Sequence, residues 1–466
     1  MTKSQVGMIG LGTMGRNLLL NIADHGFIIS GYDKDIAKQA TLNQINHKNV
    51  IVSTSIESFV HSLETPRKII ILVPAGKIVD YVIQELIPFL EKDDILIDGG
   101  NSHFTDTDRR FADLQSTGIH FMGMGVSGGE DGARYGPSMM PGSNRASYEV
   151  MRPILEKIAA KAEGMPCVQF IGNGAAGHYT KMVHNGIEYA MMQMISEVYG
   201  VLKALGYTNN ELHEFFKECN QSLLKGYLIE ITSAIFLKKD NLTDADLVDV
   251  ILDKAGQKGT GMWTSQSAFD LMVPITIIDS AVSARNISAL KAERVNNSKS
   301  IGIPKGRIEI NADKIKETAM ESLYLGFMLC YTQGLHLLQV ASLKYGYQLQ
   351  ISNILDVWKG GCIIRSDMLG LFKTAYEKKP LLINAFASSI IYNEISVRLT
   401  ELKELVAIGI QLGIATPALS NALNYCIAYS TEHLPANLIQ AQRDYFGAHT
   451  YERNDREGIF HTDWNN

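Results

Sequence analysis

The tightest constraint on this chain lies near its N-terminus. The apolar run Val6-Gly7-Met8-Ile9 leads directly into Gly10-Leu11-Gly12-Thr13-Met14-Gly15, and a helical pattern follows at once. Three glycines at this spacing permit a tight turn, close approach of a pyrophosphate, and close packing of helix on strand. The helix N-terminus then offers unpaired N–H groups and the positive end of its dipole to phosphates. A glycine triplet alone is weak evidence and is satisfied by a ligand-free turn. The strand–loop–helix context selects a dinucleotide-binding start, with Gly10, Leu11, Gly12, Thr13, Met14 and Gly15 against the cofactor.

The sequence beyond agrees. Short apolar runs at Val6–Ile9, Ile28–Ser30, Val50–Val52, Lys68–Val73, Ile95–Asp98 and His120–Met122 alternate with helical patterns, most ending at Gly, Pro, Asn or Asp. That alternation predicts an α/β Rossmann-type domain over residues 1–176 with a mainly parallel sheet. From 177 the strand signals fade and apolar residues recur at helical spacing, predicting a large all-α domain over 177–432. Residues 177–205 and 313–345 each read as one long helix followed by a shorter, polar-led one, which hints at an internal helical duplication and equally fits two unrelated helices. Residues 433–466 form a tail too apolar and aromatic for disorder, of the kind that packs on another body.

Composition excludes several functions. The chain has 466 residues, 46% hydrophobic and 20% charged, with a formal net charge of −6. Nucleic-acid binding is disfavoured by that charge, and an anionic substrate requires basic residues to cluster locally. Cys167, Cys219, Cys330, Cys362 and Cys426 are scattered without a CxxC pair, arguing for reduced, buried thiols and against a metal site. No apolar run reaches the ~18 residues of a membrane helix, and no signal peptide precedes the first strand, so a cytoplasmic protein is expected.

Candidate chemistry centres on Lys181-Met182-Val183-His184-Asn185-Gly186-Ile187-Glu188-Tyr189. On a helix, Lys181, Asn185 and Glu188 share one face. That face is either a solvated salt-bridge stripe or an acid–base pair. Three other stretches bear on the choice. Asp98-Gly99-Gly100-Asn101-Ser102 ends a strand on the carboxyl edge, where ligands sit in such sheets. Gly125–Ala133 reads as a glycine-rich loop able to receive a carboxylate. Gln257-Lys258-Gly259-Thr260-Gly261 sets a cation and a hydroxyl between glycines; it suits a phosphate or is a plain turn. At the end of the second strand, Asp33 lies about twenty residues past Gly12, where an acid bonds the ribose hydroxyls of NAD. With Asp35, it would repel a 2′-phosphate, partly offset by Lys34.

The segments GLGTMGRNL (Gly10–Leu18), DGGNS (Asp98–Ser102), GVSGGEDGARYGP (Gly125–Pro137), KMVHNGIEY (Lys181–Tyr189), AGQKGTG (Ala255–Gly261), GGCIIRS (Gly360–Ser366) and LPANLIQAQRDYFGAHT (Leu434–Thr450) together resemble the 6-phosphogluconate dehydrogenases of the β-hydroxyacid dehydrogenase superfamily. The resemblance implies oxidative decarboxylation of 6-phospho-D-gluconate to D-ribulose 5-phosphate in the pentose phosphate pathway, by a homodimer whose tails reach into the partner. It implies Lys181 as general base and Glu188 as general acid. Asn101, Ser127, Gly128, Gly129, His184 and Asn185 would contact substrate. Tyr189, Lys258, Thr260 and Arg285 would hold its phosphate, joined by Arg443 and His449 from the other subunit. Val73, Ala75 and Asn101 would contact the cofactor. Where much of the family has Asn-Arg-Ser or Asn-Arg-Thr after the second strand, this chain has Asp33-Lys34-Asp35, so NAD is favoured over the usual NADP. Another β-hydroxyacid dehydrogenase would lack the phosphate site, and a non-catalytic dinucleotide-binding protein would lack turnover.

Overall fold

A computed structural model of the chain describes residues 3–306, 308 and 310–464. Its N-terminal part is a seven-stranded sheet in the order β3-β2-β1-β4-β5-β6-β7, with β1 (Val6–Ile9), β2 (Ile29–Tyr32), β3 (Val50–Val52), β4 (Lys68–Ile71), β5 (Ile95–Asp98), β6 (His120–Ser127) and β7 (Ser138–Gly142). The first six run parallel, and β7 pairs antiparallel with β6, Gly125 opposite Met140. The order reverses between β1 and β4, so the crevice at their carboxyl ends is the switch point where ligands bind in open α/β sheets.

Helices cover both faces of the sheet, and the strands are buried accordingly. Val6, Met8, Ile70 and Ile97 pack on one side with Leu18, Leu19 and Ile22 of α1 (Thr13–Asp24). Ile9, Ile69, Ile71 and Leu96 pack on the other. Each fully buried Leu or Ile contributes roughly 1.5–3 kcal/mol of hydrophobic burial. This two-sided burial explains why these strands read as continuous apolar runs rather than alternating ones.

Two readings from the sequence change. Gly125–Ala133 is not one loop: Gly125–Ser127 completes β6, Gly128 turns at φ +112°, and Gly129–Tyr135 is a short helix. The seventh strand escaped notice because Pro141 and Gly142 break its β signal. It can carry them because it forms the sheet's edge beyond β6.

The C-terminal part is helical. Two helices dominate it, α3 (Ala176–Ala204) and α6 (Ala312–Tyr345), with α4 (Thr260–Asp270) and α5 (Thr276–Ala289) between them in the chain, while α2 (Phe104–Gln115), between β5 and β6, packs on both β6 and α3. After them come α7 (Ile351–Trp358), α8 (Leu399–Leu412) and α9 (Pro417–Tyr429), and the tail contains α10 (Ala436–Gly447). Small residues let α3 approach its neighbours closely. At Gly177 a methyl group would overlap the carbonyl oxygens of Gly123 and Met140. At Gly334 of α6 it would lie 2.5 Å from Ile187 Cδ1. The start of α3 is therefore pressed directly onto β6 and β7. Glu197 caps α9 from this helix, accepting from the N–H groups of Ala418 at 2.8 Å and Leu419 at 2.9 Å.

Gly177→Ala should therefore destabilise the protein by about 1–3 kcal/mol through overpacking. Gly200→Ala, on the same helix with its nearest neighbouring atom 3.4 Å from the added carbon, should stabilise by up to about 1 kcal/mol. Urea unfolding midpoints of the two variants check this; a Gly177 variant as stable as its parent would contradict the close crossing.

Candidate active site

The long helix α3 supplies the centre of the site. Lys181 and His184 are buried, Asn185 and Glu188 half-buried, and Tyr189 buried. Lys181 follows Gly177 by one turn, so its stem lies in the close crossing, with Cγ 3.0 Å from where a Gly125 side chain would begin. The neighbouring helix α4 is brought in the same way. Its Thr264 hydroxyl lies against Gly186 and donates to Met182 O at 2.9 Å, and Gly261 lies against the Tyr189 ring. This contact sets Thr260 Oγ1 at 3.0 Å from Asn185 Nδ2.

Asn185, Glu188, Tyr189 and Thr260 open onto a cleft of about 970 Å³ between the sheet and the helical bundle. Gly12, Thr13, Met14, Gly15, Val73, Ala75 and Asn101 line its sheet side, and Asn185, Glu188, Tyr189, Lys258, Thr260 and Arg285 line its helical side. Lys181, His184 and Ser127 sit behind that lining. His184 lies 3.4 Å from Ser127 Oγ through Nε2 and 3.2 Å from Asn185 Oδ1 through Nδ1. With Asn185 Nδ2 directed to Thr260, the consistent assignment has His184 Nδ1 donating to Asn185 and Nε2 accepting from Ser127. Burial, and then the Lys181 charge, push the His184 pKa well below its ordinary value, so the ring is neutral.

Electrostatics converge on Lys181 and Glu188. Burial lowers the Lys181 pKa, opposed by the charge of Glu188 and by Cys362. Burial raises the Glu188 pKa, opposed by Lys181 and Arg285. Each group is thus moved towards its neutral form, as a base and an acid working near neutral pH require. The solvated-stripe reading of this helix face does not hold, because Lys181 is only 7% exposed. At the far end of the cleft, the Arg285 guanidinium stacks 3.4 Å over the Tyr189 ring, and its Nη1 donates to Gly256 O at 3.1 Å. Lys258 is exposed, with Gly259 left-handed beside it and Thr260 opening α4. The two cations and the Thr260 hydroxyl form the local basic cluster that an anionic substrate needs.

The dinucleotide loop leaves space at its glycines, whereas Leu11, expected against the cofactor, is buried in the core and lines neither cavity. Gly10 has φ +95°, and the space in front of Gly12 is open, with no atom within 4 Å of where a side chain would start. The α1 N-terminus has no side-chain cap, so its first N–H groups face the cleft free. A second cavity of about 510 Å³ continues from Gly10 and Gly12 past Tyr32, Asp33, Lys34, Lys38, Ile78, Tyr81 and Glu85. Here the Asp33 carboxylate is occupied within the protein: Oδ2 accepts from Leu11 N at 2.8 Å and Lys38 Nζ at 3.3 Å, and Oδ1 from Asp35 N at 3.0 Å. Burial alone would raise its pKa, but these donors outweigh burial and hold it below the ordinary value. Asp35 caps the helix Ile36–Gln44 through Ala37 N, and Lys34 pairs with Glu85 at 2.5 Å.

Comparison with known proteins agrees over the whole chain. Residues 5–172 match the NAD binding domain of 6-phosphogluconate dehydrogenase, and residues 177–464 match the 6-phosphogluconate dehydrogenase C-terminal domain. The chain belongs to the 6-phosphogluconate dehydrogenase family. It is 51% identical over 467 residues to the NADP(+)-dependent, decarboxylating 6-phosphogluconate dehydrogenase of Bacillus subtilis, covering 100% of both chains. It is 46% identical to the decarboxylating enzyme of Staphylococcus aureus, covering 99% of both. The solved 6-phosphogluconate dehydrogenase of Plasmodium falciparum, studied apo and in complex with NADP+ and with 6-phosphogluconate, superposes with a TM-score of 0.96 at 40% identity, covering 99% of this chain and 100% of that one.

Within this family fold, Arg443 and His449 stand apart. Both are exposed on the tail and neither lines the cleft of its own chain. The sequence reading also passed over three neighbours of the site. Trp263 lines the cleft and meets His103 edge-on at 4.9 Å; its i+3 spacing from Thr260 was the available signal. Cys362, in GGCIIRS, is a buried free thiol near Lys181, pushed by burial up to about 12. Arg110 gave no signal, since Arg109-Arg110 reads as an exposed helix pair. Among the described residues, no group of three or more His, Cys, Asp or Glu could hold a metal ion, and no helix is long and apolar enough to cross a membrane.

Glu188→Gln would remove the carboxylate charge that holds the Lys181 pKa up and leave burial less opposed. Acylation of Lys181 by a small amine-reactive acyl donor such as acetic anhydride, followed by mass spectrometry across pH, should then reach its midpoint at lower pH than in the parent. An unmoved or upward-moved midpoint would show that the two groups are not coupled.

Proposed function

We propose that this chain catalyses the oxidative decarboxylation of 6-phospho-D-gluconate to D-ribulose 5-phosphate and carbon dioxide. The observation that carries the reading is the Lys181–Glu188 pair, set on one helix between a dinucleotide loop and a cluster of cations. In this reading Lys258, Thr260, Arg285 and Tyr189 hold the phosphate, and Asn101, Ser127, Gly128, Gly129, His184 and Asn185 hold the sugar acid. When bound, the nicotinamide supplies the acceptor for the hydride that leaves C3. Unprotonated Lys181 takes the proton of the C3 hydroxyl. Once protonated, it faces the carbonyl oxygen of the β-keto acid and stabilises the negative charge that builds there as carbon dioxide leaves C1. Glu188, its pKa raised by burial, delivers its proton to C1 of the enediol. Arg443 and His449 complete the phosphate site from a partner subunit; the exposed Leu438, Ile439 and Phe446 on α10 supply an apolar surface for such a homodimer.

For the cofactor we favour NAD. Both cations at the far end of the 510 Å³ cavity are already paired, Lys34 with Glu85 and Lys38 with Asp33. A 2′-phosphate would meet four charges summing to zero, with one carboxylate held ionised by its hydrogen bonds. The NADP dependence of the Bacillus subtilis relative favours the alternative, in which Lys34 leaves Glu85 for the phosphate.

The direct test is turnover of 6-phosphogluconate with release of carbon dioxide, by the parent and by Lys181→Met. Loss of the general base should lower kcat by about 10²–10⁴-fold while cofactor Kd changes less than threefold; a near-normal rate would sink the base assignment. For the cofactor, kcat/KM should be higher with NAD than with NADP. Glu85→Gln, which frees Lys34, should raise the NADP-to-NAD ratio by about three- to tenfold, the worth of one partly exposed charge-assisted contact. A tenfold preference of the parent for NADP would refute the NAD assignment.

A further inference from the structure

Behind the cleft lies a charged cluster that the proposed chemistry does not use. Arg110, on α2, is among the largest fully buried side chains, at 2% exposure. Its guanidinium forks into three segments. Nε donates to Asp80 Oδ1 at 2.7 Å, Nη2 to Gly76 O at 2.9 Å, and Nη1 to Asp98 Oδ2 and Ser102 Oγ, both at 3.3 Å. Gly76 ends the loop whose Val73, Pro74 and Ala75 line the cleft on the cofactor side. Asp98 and Ser102 bracket the loop whose Gly99, Gly100 and Asn101 line it where the sugar acid is placed.

The second loop is itself rigidified from the same carboxylate. Asp98 Oδ1 accepts from Gly100 N at 3.0 Å and Oδ2 from Ser102 Oγ at 2.6 Å. One turn before Arg110, Thr107 Oγ1 meets His178 Nδ1 at 2.7 Å, both residues buried. His178 lies one turn before Lys181 on α3. Helix α2 thus holds three parts at once: the cofactor loop, the sugar-acid loop, and the helix bearing the lysine.

A fully buried arginine is not an efficient way to stabilise a fold. Apolar side chains of similar volume often do as well, because desolvating the charges offsets most of their attraction. What a planar five-donor fork provides is fixed geometry among several acceptors. Hydride transfer depends on such geometry, since a misplacement of about 1 Å is worth on the order of 10² in rate.

We propose that Arg110 is a positioning residue that fixes the distance between the cofactor loop and the sugar-acid loop, and so the approach of C3 to the hydride acceptor. This rests on the oxidation proposed above. Arg110→Lys keeps the charge and loses the fork; Asp80→Asn neutralises the carboxylate that Arg110 Nε shares with the half-exposed Arg109 and leaves the contacts to Gly76, Asp98 and Ser102 in place. Both variants should bind cofactor and 6-phosphogluconate with Kd within threefold of the parent. kcat should fall at least thirtyfold in Arg110→Lys and several-fold in Asp80→Asn. In both, the primary isotope effect from 3-deuterated 6-phosphogluconate should rise, as hydride transfer becomes more rate-limiting. Rates equal to the parent's, or losses matched by a loss of folded protein with an unchanged isotope effect, would overturn the proposal. A parent that does not turn over 6-phosphogluconate would instead bring down the functional reading, and the inference with it.

Discussion

The close crossing of α3 over β6 and β7 is the contact on which the site depends. Glycines at 125 and 177 remove the side chains that would hold helix and sheet apart. Lys181 is carried by that crossing into a place where its amine is desolvated. A helix held off the sheet by ordinary side chains would leave the same lysine nearer water, with its pKa closer to the ordinary value. The lowered Lys181 pKa is therefore a result of backbone packing before it is a property of the lysine's charged neighbours.

The same device is repeated around α3. Gly261 admits the Tyr189 ring and Gly186 admits Thr264, bringing α4 and its Thr260 against Asn185. Polar contacts in the site are thus set by apolar close packing, which is stiff because interiors are packed as densely as crystals. His184 is fixed at both ring nitrogens, by Ser127 and by Asn185, and is held neutral by burial and the lysine charge. A neutral ring there adds no second positive charge beside Lys181.

Much of this was legible in the sequence, for physical reasons that differ by element. The inner strands β1, β4 and β5 announced themselves because burial on both faces demands unbroken apolar runs, the half-exposed edge strand β3 by its β-branched residues, and the dinucleotide loop because only glycine meets its backbone needs. The one-face placement of Lys181, Asn185 and Glu188 follows from helical period alone. The edge strand β7 did not announce itself, since Pro141 and Gly142 lower its β propensity and its place is decided by pairing with β6. Nor did the clamp around Arg110. Sequence period puts an arginine on a helix, but whether it faces water or three other segments depends on contacts to Gly76, Asp80 and Asp98 at separations of 34, 30 and 12 residues.

The end of the second strand shows how far residue type alone misleads. Asp33, Lys34 and Asp35 read as two carboxylates facing a cofactor with one cation between them. In the fold, Asp35 serves as a helix cap, and Asp33 ties the glycine loop to the strand through Leu11 N–H. Two cations reach the cavity rather than one, since Lys38 joins Lys34, and an unforeseen Glu85 arrives from the helix Lys77–Leu86. The local charge comes out neutral by pairing, not acidic by composition. The proposed discrimination against a 2′-phosphate then rests on the cost of breaking an exposed ion pair, an energy of about 1 kcal/mol or less. A preference built on so small a term is weakly held, and a relative half-identical in sequence can differ in cofactor without any change of fold.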